Sequence, residues 1–270
     1  MFKIVSKRAI TDEVFSMEIE MPAVAEKVQP GHHVDIHVNP DGAALTLPIA
    51  GYDRQKGTIT IVHQAQDLPS LQLSMLREGD AVFQIRGPLG GSCTFGDIGK
   101  VVLAAEDLGA ASLFLRAKEY NQHGAYTICV LGFETKNEIF WEKDFATICD
   151  ELYVCTRDGS YGVNGRIITP LRAVCEMHKD IERIVMIGQL VKMKKVAKVA
   201  ADYDIPAVMS FDAIRQRVGG PDLFEMEDKA QEEFEFARAP EIDANEIDFE
   251  KLLARQRALL KESENTATGT

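Results

Sequence analysis

Residues Val101–Lys118 read VVLAAEDLGAASLFLRAK. Val101–Ala105 is an unbroken apolar run, which predicts a buried strand. A helix begins at about Gly109, so only a short turn separates the two. This is the layout of a nucleotide-binding βα turn. Such a turn needs glycines, so that the backbone can close on a pyrophosphate, and a helix N-terminus free of negative charge. Here the turn carries Glu106 and Asp107. The layout is present and the chemistry is not.

The rest of the chain extends the same architecture. Strands are predicted at Tyr126–Gly132, Glu151–Thr156, Arg183–Ile187 and Ala207–Phe211. They alternate with helices near Glu138–Phe145, Ile168–Met177 and Val191–Tyr203. Strands and helices alternating at short spacing imply a parallel sheet covered on both faces. Residues 1–97 have a different rhythm. Phe2–Ala9, Val14–Met21, His33–Val38, Gly57–Gln64 and Ala81–Arg86 read as short strands, with Phe15, Met17, Ile19 and Met21 on one side of the second. This spacing predicts a small antiparallel barrel. The expected division is a barrel over 1–98, an α/β domain over 99–217, an acidic segment over 218–247, a helix over 248–262 and a disordered tail over 263–270. Asp248 is the expected N-cap of that last helix, with Leu252, Leu253, Leu259 and Leu260 as its apolar side.

Charge is concentrated. The net charge is -12. Residues 221–250 carry twelve carboxylates against Lys229 and Arg238, so the remainder is nearly neutral. Phosphate binding needs a basic face, which excludes nucleic acid as a partner. The basic run Lys192, Lys194, Lys195, Lys198 reads as a solvated helix face. There is no apolar run of about 18 residues and no signal-like N-terminus, so a cytoplasmic protein without a membrane partner is expected. Five cysteines, Cys93, Cys129, Cys149, Cys155 and Cys175, form no CxxC pair and read as buried reduced thiols.

Several separated blocks resemble one family. They are Pro30-Gly31, Ile49–Gln64 (IAGYDRQKGTITIVHQ), Arg77-Glu78-Gly79-Asp80, Gly87-Pro88-Leu89-Gly90, Cys149–Gly165 (CDELYVCTRDGSYGVNG) and Pro240–Leu253 (PEIDANEIDFEKLL). In this order they are similar to the ferredoxin–NADP reductase-like small subunits. That branch includes the alpha subunit of NADH-dependent ferredoxin–NADP oxidoreductase, the sulfide dehydrogenase small subunit and the dihydroorotate dehydrogenase electron-transfer subunit. The resemblance spans about residues 2–260. It implies a ferredoxin reductase-type β-barrel followed by a parallel-sheet α/β domain. It also implies FAD on the barrel, NAD(P) on the α/β domain and a [2Fe–2S] cluster near the C-terminus.

Each of these implied sites is degenerate. The family's flavin block places an Arg where Ala44 stands and a hydroxyl where Pro48 stands. Its phosphate loop corresponds to Asp67-Leu68-Pro69-Ser70, of which only Ser70 fits. Its dinucleotide glycines correspond to Ala105-Glu106-Asp107 and Gly109, and only Gly109 is kept. Glu134 stands where an Arg often meets the dinucleotide, and Gln189 and Val191 follow Gly188. The cluster ligands would fall within 217–240, yet no cysteine occurs after Cys175, and iron–sulfur clusters are held by thiolates. The vestigial cofactor-binding positions are therefore Tyr52, Ser70, Gly87, Pro88, Leu89, Gly109 and Gly188. No catalytic residue is expected. His33, Asp35 and His37 share a strand face but read as polar surface, so no metal site is expected either. No cofactor is expected, and FAD is the one to look for if any is bound.

The resulting expectation is a non-catalytic or regulatory paralogue of an electron-transfer subunit, without activity on its own, that docks to a larger flavoprotein oxidoreductase subunit. One alternative is an electron-transfer subunit that keeps FAD through altered contacts. Another is a scaffold repurposed to bind a small ligand. The acidic segment 221–250 is a candidate docking surface.

Overall fold

The computed structural model describes residues 1–211 and 241–268. Most of the acidic segment, and the stretch that would hold a cluster, lie outside the described residues. So do the side chains of Leu259 and Leu260.

Seven strands build the first sheet: β1 (Phe2–Ala9), β2 (Val14–Glu20), β3 (His33–His37), β4 (Leu45–Asp53), β5 (Thr58–Gln64), β6 (Ala81–Val82) and β7 (Gln84–Leu89). They pair in the order β6-β1-β2-β5-β4-β3-β7, and every pairing is antiparallel. Only Phe83 separates β6 from β7, so the two edges of the sheet nearly meet and the sheet curls into a barrel. Alternation sets the register: Met17 faces Ile61 and Ile19 faces Ile59 across β2 and β5, and all four are fully buried. Two helices, α1 (Pro22–Ala25) and α2 (Leu68–Met75), are inserted. Neither β4 nor α2 is apparent in the sequence. Pro48 and Gly51 argue against a strand, but burial of Leu45, Leu47, Ile49 and Ala50 outweighs that propensity.

The second sheet contains β8 (Lys100–Glu106), β9 (Tyr126–Phe133), β10 (Glu151–Thr156), β11 (Val163–Asn164), β12 (Arg183–Ile187), β13 (Ala207–Ser210) and β14 (Ile242–Asp243). Its order is β11-β10-β9-β8-β12-β13-β14, parallel throughout except for β14. The helices are α3 (Gly109–Gln122), α4 (Glu142–Phe145), α5 (Ile168–Met177), α6 (Leu190–Asp202) and α7 (Phe249–Thr268). The helix expected near Glu138–Phe145 shortens to α4, preceded by a 3-10 turn at Lys136–Glu138. The C-terminal helix runs to Thr268, through most of the tail expected to be disordered. No proline or glycine interrupts the chain between Phe249 and Gly269, so nothing stops it earlier.

The apolar residues fall into three clusters. One lies under α5, α6 and α7, one under α3 and α4, and one inside the barrel. The last two interlock. Leu115 of α3 belongs to the barrel cluster, while Ala50 and Val62 of the barrel belong to the α3 cluster. Arg116, one residue further along α3, is completely buried. Its Nε is shared between Glu241 Oε1 at 3.0 Å and Cys93 Sγ at 3.1 Å, and a terminal nitrogen donates to Ser210 Oγ at 3.0 Å.

His63 continues the inward face of β5. It is 1% exposed and stacks on Phe15, and both ring nitrogens lack a hydrogen-bond partner among the described residues. Burial pushes the imidazole down to about 4. The ring is therefore neutral in the folded chain but titrates normally when unfolded. Its contribution is fully present above about pH 6.5 and is lost as pH falls through 4, a swing of about 3 kcal/mol. His63→Leu is expected to flatten this acid limb, raising the urea midpoint at pH 4.5 relative to wild type while changing it little at pH 7.5. Equal shifts at both pH values would refute the assignment.

Candidate functional site

In an open parallel sheet, ligands bind beyond the carboxyl ends of the strands, where the strand order reverses. Here that point lies between β8 and β12. The turn after β8 is Glu106-Asp107-Leu108, and the turn after β12 is Gly188-Gln189. Gly109 and Gly188 thus come together, but for different reasons. A Cβ at Gly109 would sit 2.8 Å from the Ile187 carbonyl oxygen, so this glycine lets α3 pack closely against β12. A Cβ at Gly188 would meet only the flexible end of Met186.

The two carboxylates of the turn are not free charges. Glu106 is 7% exposed, and its Oε2 lies 3.0 Å from Lys192 Nζ in the first turn of α6. That approach is off the hydrogen-bond direction; the ammonium instead donates to Asp107 Oδ2 at 3.4 Å. Burial pushes the Glu106 carboxyl up to about 7, against the downward pull of Lys192. Two sequence readings are corrected here. Lys192 is not part of a solvated helix face, since its side chain is only 14% exposed. Nor does the turn present two unopposed negative charges, because a cation from the neighbouring helix is folded onto them. Asp107 takes a left-handed φ of 51°, a conformation that glycine adopts without strain and aspartate tolerates better than most residues. Lys194 does lie at the surface and pairs with Glu250 of α7.

A cleft of about 610 Å³ opens between the barrel and this sheet end. The barrel contributes Thr11–Val14 and Gln64; the sheet end contributes Asp107, Leu108, Phe133–Thr135, Asn137, Glu138, Phe140 and Gln189. Five carboxylates line it (Asp12, Glu13, Asp107, Glu134 and Glu138) and no lysine, arginine or histidine does. Burial and the nearby Asp107 hold the Glu138 carboxyl above the usual range. Arg157 meets Glu134 at 2.9 Å. The cleft was not legible in the sequence because its two walls are more than forty residues apart in the chain.

The other positions expected to bind a cofactor make contacts within the protein itself. Asp67 caps α2: its carboxylate accepts from the Ser70 backbone N–H at 2.9 Å and from the Ser70 hydroxyl at 2.6 Å. The Ser70 Oγ in turn accepts the backbone N–H groups of Gln66 and Asp67 at 3.0 Å. This reciprocal cap satisfies the first backbone N–H groups of α2. The Tyr52 hydroxyl donates to Glu119 of α3 at 3.4 Å, and Arg54 lies over its ring at 4.5 Å. Gly87, Pro88 and Leu89 lie on β7, where a Cβ at Gly87 would collide with Val34 at 2.6 Å. Asp35, between His33 and His37, accepts from Thr46 at 2.7 Å and pairs with Arg86 at 3.1 Å. The described residues present no cationic cradle for a flavin or dinucleotide pyrophosphate at these positions, so neither group fits as it would in an unaltered site. Among the described residues no helix is long and apolar enough to cross a membrane.

No family model matches the chain. An uncharacterized protein of the adh 3′ region from Clostridium beijerinckii is 32% identical over 99% of the chain and 93% of its own length. A Thermotoga maritima protein is 28% identical over 94% of the chain and 89% of its length; it is named a homolog of the dihydroorotate dehydrogenase B (NAD(+)) electron transfer subunit. Among solved structures, the NADH-dependent reduced ferredoxin–NADP oxidoreductase superposes with a TM-score of 0.81 at 25% identity, covering 99% of this chain and 98% of that one. Phthalate dioxygenase reductase shares the fold, with a TM-score of 0.60 at 17% identity over 74% of this chain and 63% of its own.

Proposed function

The chain belongs to the ferredoxin reductase-like family, and on that premise we propose that it is an electron-transfer-type subunit of an oxidoreductase complex. In this reading it acts by contact with a larger flavoprotein subunit and holds no flavin or dinucleotide of its own. One observation carries the proposal: the crevice where a dinucleotide would lie is lined by five carboxylates and no lysine, arginine or histidine, and the Lys192 ammonium beside it is spent on Glu106 and Asp107. A dinucleotide carries its own negative charges into that crevice. Like charges about 4 Å apart repel by roughly 4 kcal/mol at an effective dielectric near 20. A helix N-terminus returns only about 0.3–1 kcal/mol when exposed. The division into a barrel over 1–98, an α/β domain over 99–217 and a C-terminal segment belongs to the same reading, with the acidic segment 221–250 as the docking surface.

A second reading has its own support. The Thermotoga relative is named a homolog of an electron transfer subunit, and the antiparallel barrel on which the resemblance implies FAD is formed here. In that reading FAD is held through altered backbone and ring contacts. Purifying the chain alone and together with the product of its neighbouring gene, then recording the visible spectrum and assaying iron, separates the two. A colourless chain that co-elutes with a large flavoprotein is expected. Stoichiometric flavin on the isolated chain would establish the second reading instead. A colourless monomer that takes no partner would overturn both in favour of a small-ligand protein.

A further inference from the structure

Helix α2 turns its apolar side outward. Leu68, Leu71 and Met75 are spaced i, i+3 and i+7, so they form one stripe along the helix. They are 68%, 43% and 76% exposed. The opposite side, Ser70 and Leu73, is buried. A helix on a protein surface ordinarily shows charged residues to solvent, yet α2 reads LPSLQLSM and carries no charge at all. By contrast, α5 and α6 each expose a single large apolar side chain, Met177 and Val191. The helix cannot roll over to hide the stripe. The Asp67–Ser70 cap holds its start, and Leu73 is locked into the barrel cluster. At its end Lys7 Nζ donates to the Ser74 carbonyl and, at 2.8 Å, to the Leu76 carbonyl.

The charges around the stripe limit what can cover it. Gln64 lines the acidic cleft with Asp12 and Glu13, and it donates to Glu13 at 3.0 Å. Leu68 lies four residues further on, within about 14 Å of chain. Asp67 sits at the same end of the helix. Beyond the other end come Arg77, Glu78 and Asp80. The carboxylates of Asp12, Glu13, Asp67, Glu78 and Asp80 thus flank the stripe against Arg77 and Lys7, and Lys7 is bonded to the helix end. A second copy of this chain does not fit: a two-fold contact through α2 would set these carboxylates against their own images. The chain's own acidic segment 221–250 meets the same repulsion. We propose that the outward stripe of α2 is a docking surface for a partner protein that lays an apolar helix face across it, with lysine or arginine on either side of that face. Resting on the reading of the chain as a subunit, this gives its partner a second contact besides the acidic segment. The apolar contact supplies affinity, and the basic rim steers and orients the encounter.

The probe is a dye-labelled amphipathic peptide of leucine and lysine, with leucine on one face and lysine on the other, titrated with the folded full-length chain by fluorescence anisotropy. Each variant is first matched to wild type by melting temperature. Leu71→Glu/Met75→Glu is expected to weaken binding by at least about tenfold and the neutral Leu71→Gln/Met75→Gln by about fivefold, while Met177→Glu stays within about twofold of wild type. Glu13→Lys/Glu78→Lys is expected to weaken binding by about tenfold in about 0.05 M sodium chloride and much less in about 0.5 M. Equal binding by wild type and Leu71→Glu/Met75→Glu overturns the proposal, as does the absence of binding by wild type. A concentration-dependent dimer of wild type that the same variant abolishes overturns it too, in favour of a second copy. Titration with the large subunit from the neighbouring gene separates this proposal from the reading beneath it. A large subunit that binds wild type and Leu71→Glu/Met75→Glu alike overturns the α2 surface and leaves the docking reading standing. A large subunit that binds neither, while the peptide still selects for α2, overturns the docking reading and supports α2 as the site of another partner of the same chemistry.

Discussion

Replacing Arg116 by methionine is expected to lower the melting temperature by about 6–20 °C. The guanidinium is 0% exposed and paired with Glu241, itself only 9% exposed, while also bonding Ser210 and Cys93. Removing it leaves a buried carboxylate with its partner gone, a loss of about 3–5 kcal/mol. In a chain of this size each kcal/mol shifts the midpoint by about 2–4 °C. Glu241 follows the undescribed stretch, and Arg116 fastens that returning chain to α3 and to β13. The double variant R116M/E241L is expected to recover much of the loss, because a buried ion pair replaced whole by apolar groups is nearly neutral. A midpoint for Arg116→Met within about 2 °C of wild type would show that the pair contributes little.

Lys192→Ala is expected to destabilise the chain by about 2–4 kcal/mol at pH 8 and by about 1 kcal/mol or less at pH 5. The pH dependence arises in Glu106, whose carboxyl is raised to about 7 by burial. For an acid raised from 4.5, the stabilising contribution is fully present below about pH 4.5 and lost as pH rises through 7. Lys192 is what moderates that loss, so its removal is felt where Glu106 is charged. Glu106→Gln removes this alkaline loss, and in that background Lys192→Ala is expected to have the same effect at pH 5 as at pH 8. Urea midpoints across that range measure it. A Lys192→Ala effect of the same size at pH 5 and pH 8 would mean that the lysine acts through packing, not charge.

Much of the fold was legible because it rests on periodicity. The alternation of Met17, Ile19, Ile59 and Ile61 placed the barrel strands, and the apolar runs Val101–Ala105 and Arg183–Ile187 placed the central parallel strands within a residue of where they lie. Strand β4 was missed because Pro48 and Gly51 break the local signal, and only burial of its neighbours restores the strand. Helix α2 was missed because its start, Asp67-Leu68-Pro69-Ser70, matched a phosphate loop. The reciprocal bonds between Asp67 and Ser70 make it a cap.

At the candidate site, residue identity alone shows that Ala44, Glu106 and Asp107 stand where the resemblance expects arginine and glycines, and that no cysteine follows Cys175. Residue identity also fixed the family resemblance and the two-part architecture. What the sequence could not assign was the company each charge keeps. Glu106 and Lys192 are 86 residues apart and Arg116 and Glu241 are 125 apart, and nothing in local pattern pairs them. Only the reversal of strand order between β8 and β12 brings the start of α6 against the β8 turn. Burial there then converts two carboxylates and a lysine from separate surface charges into one desolvated cluster. Local pattern decides which strands and helices form, because each follows from side-chain periodicity; which ionisable groups share a low-dielectric crevice follows from topology alone.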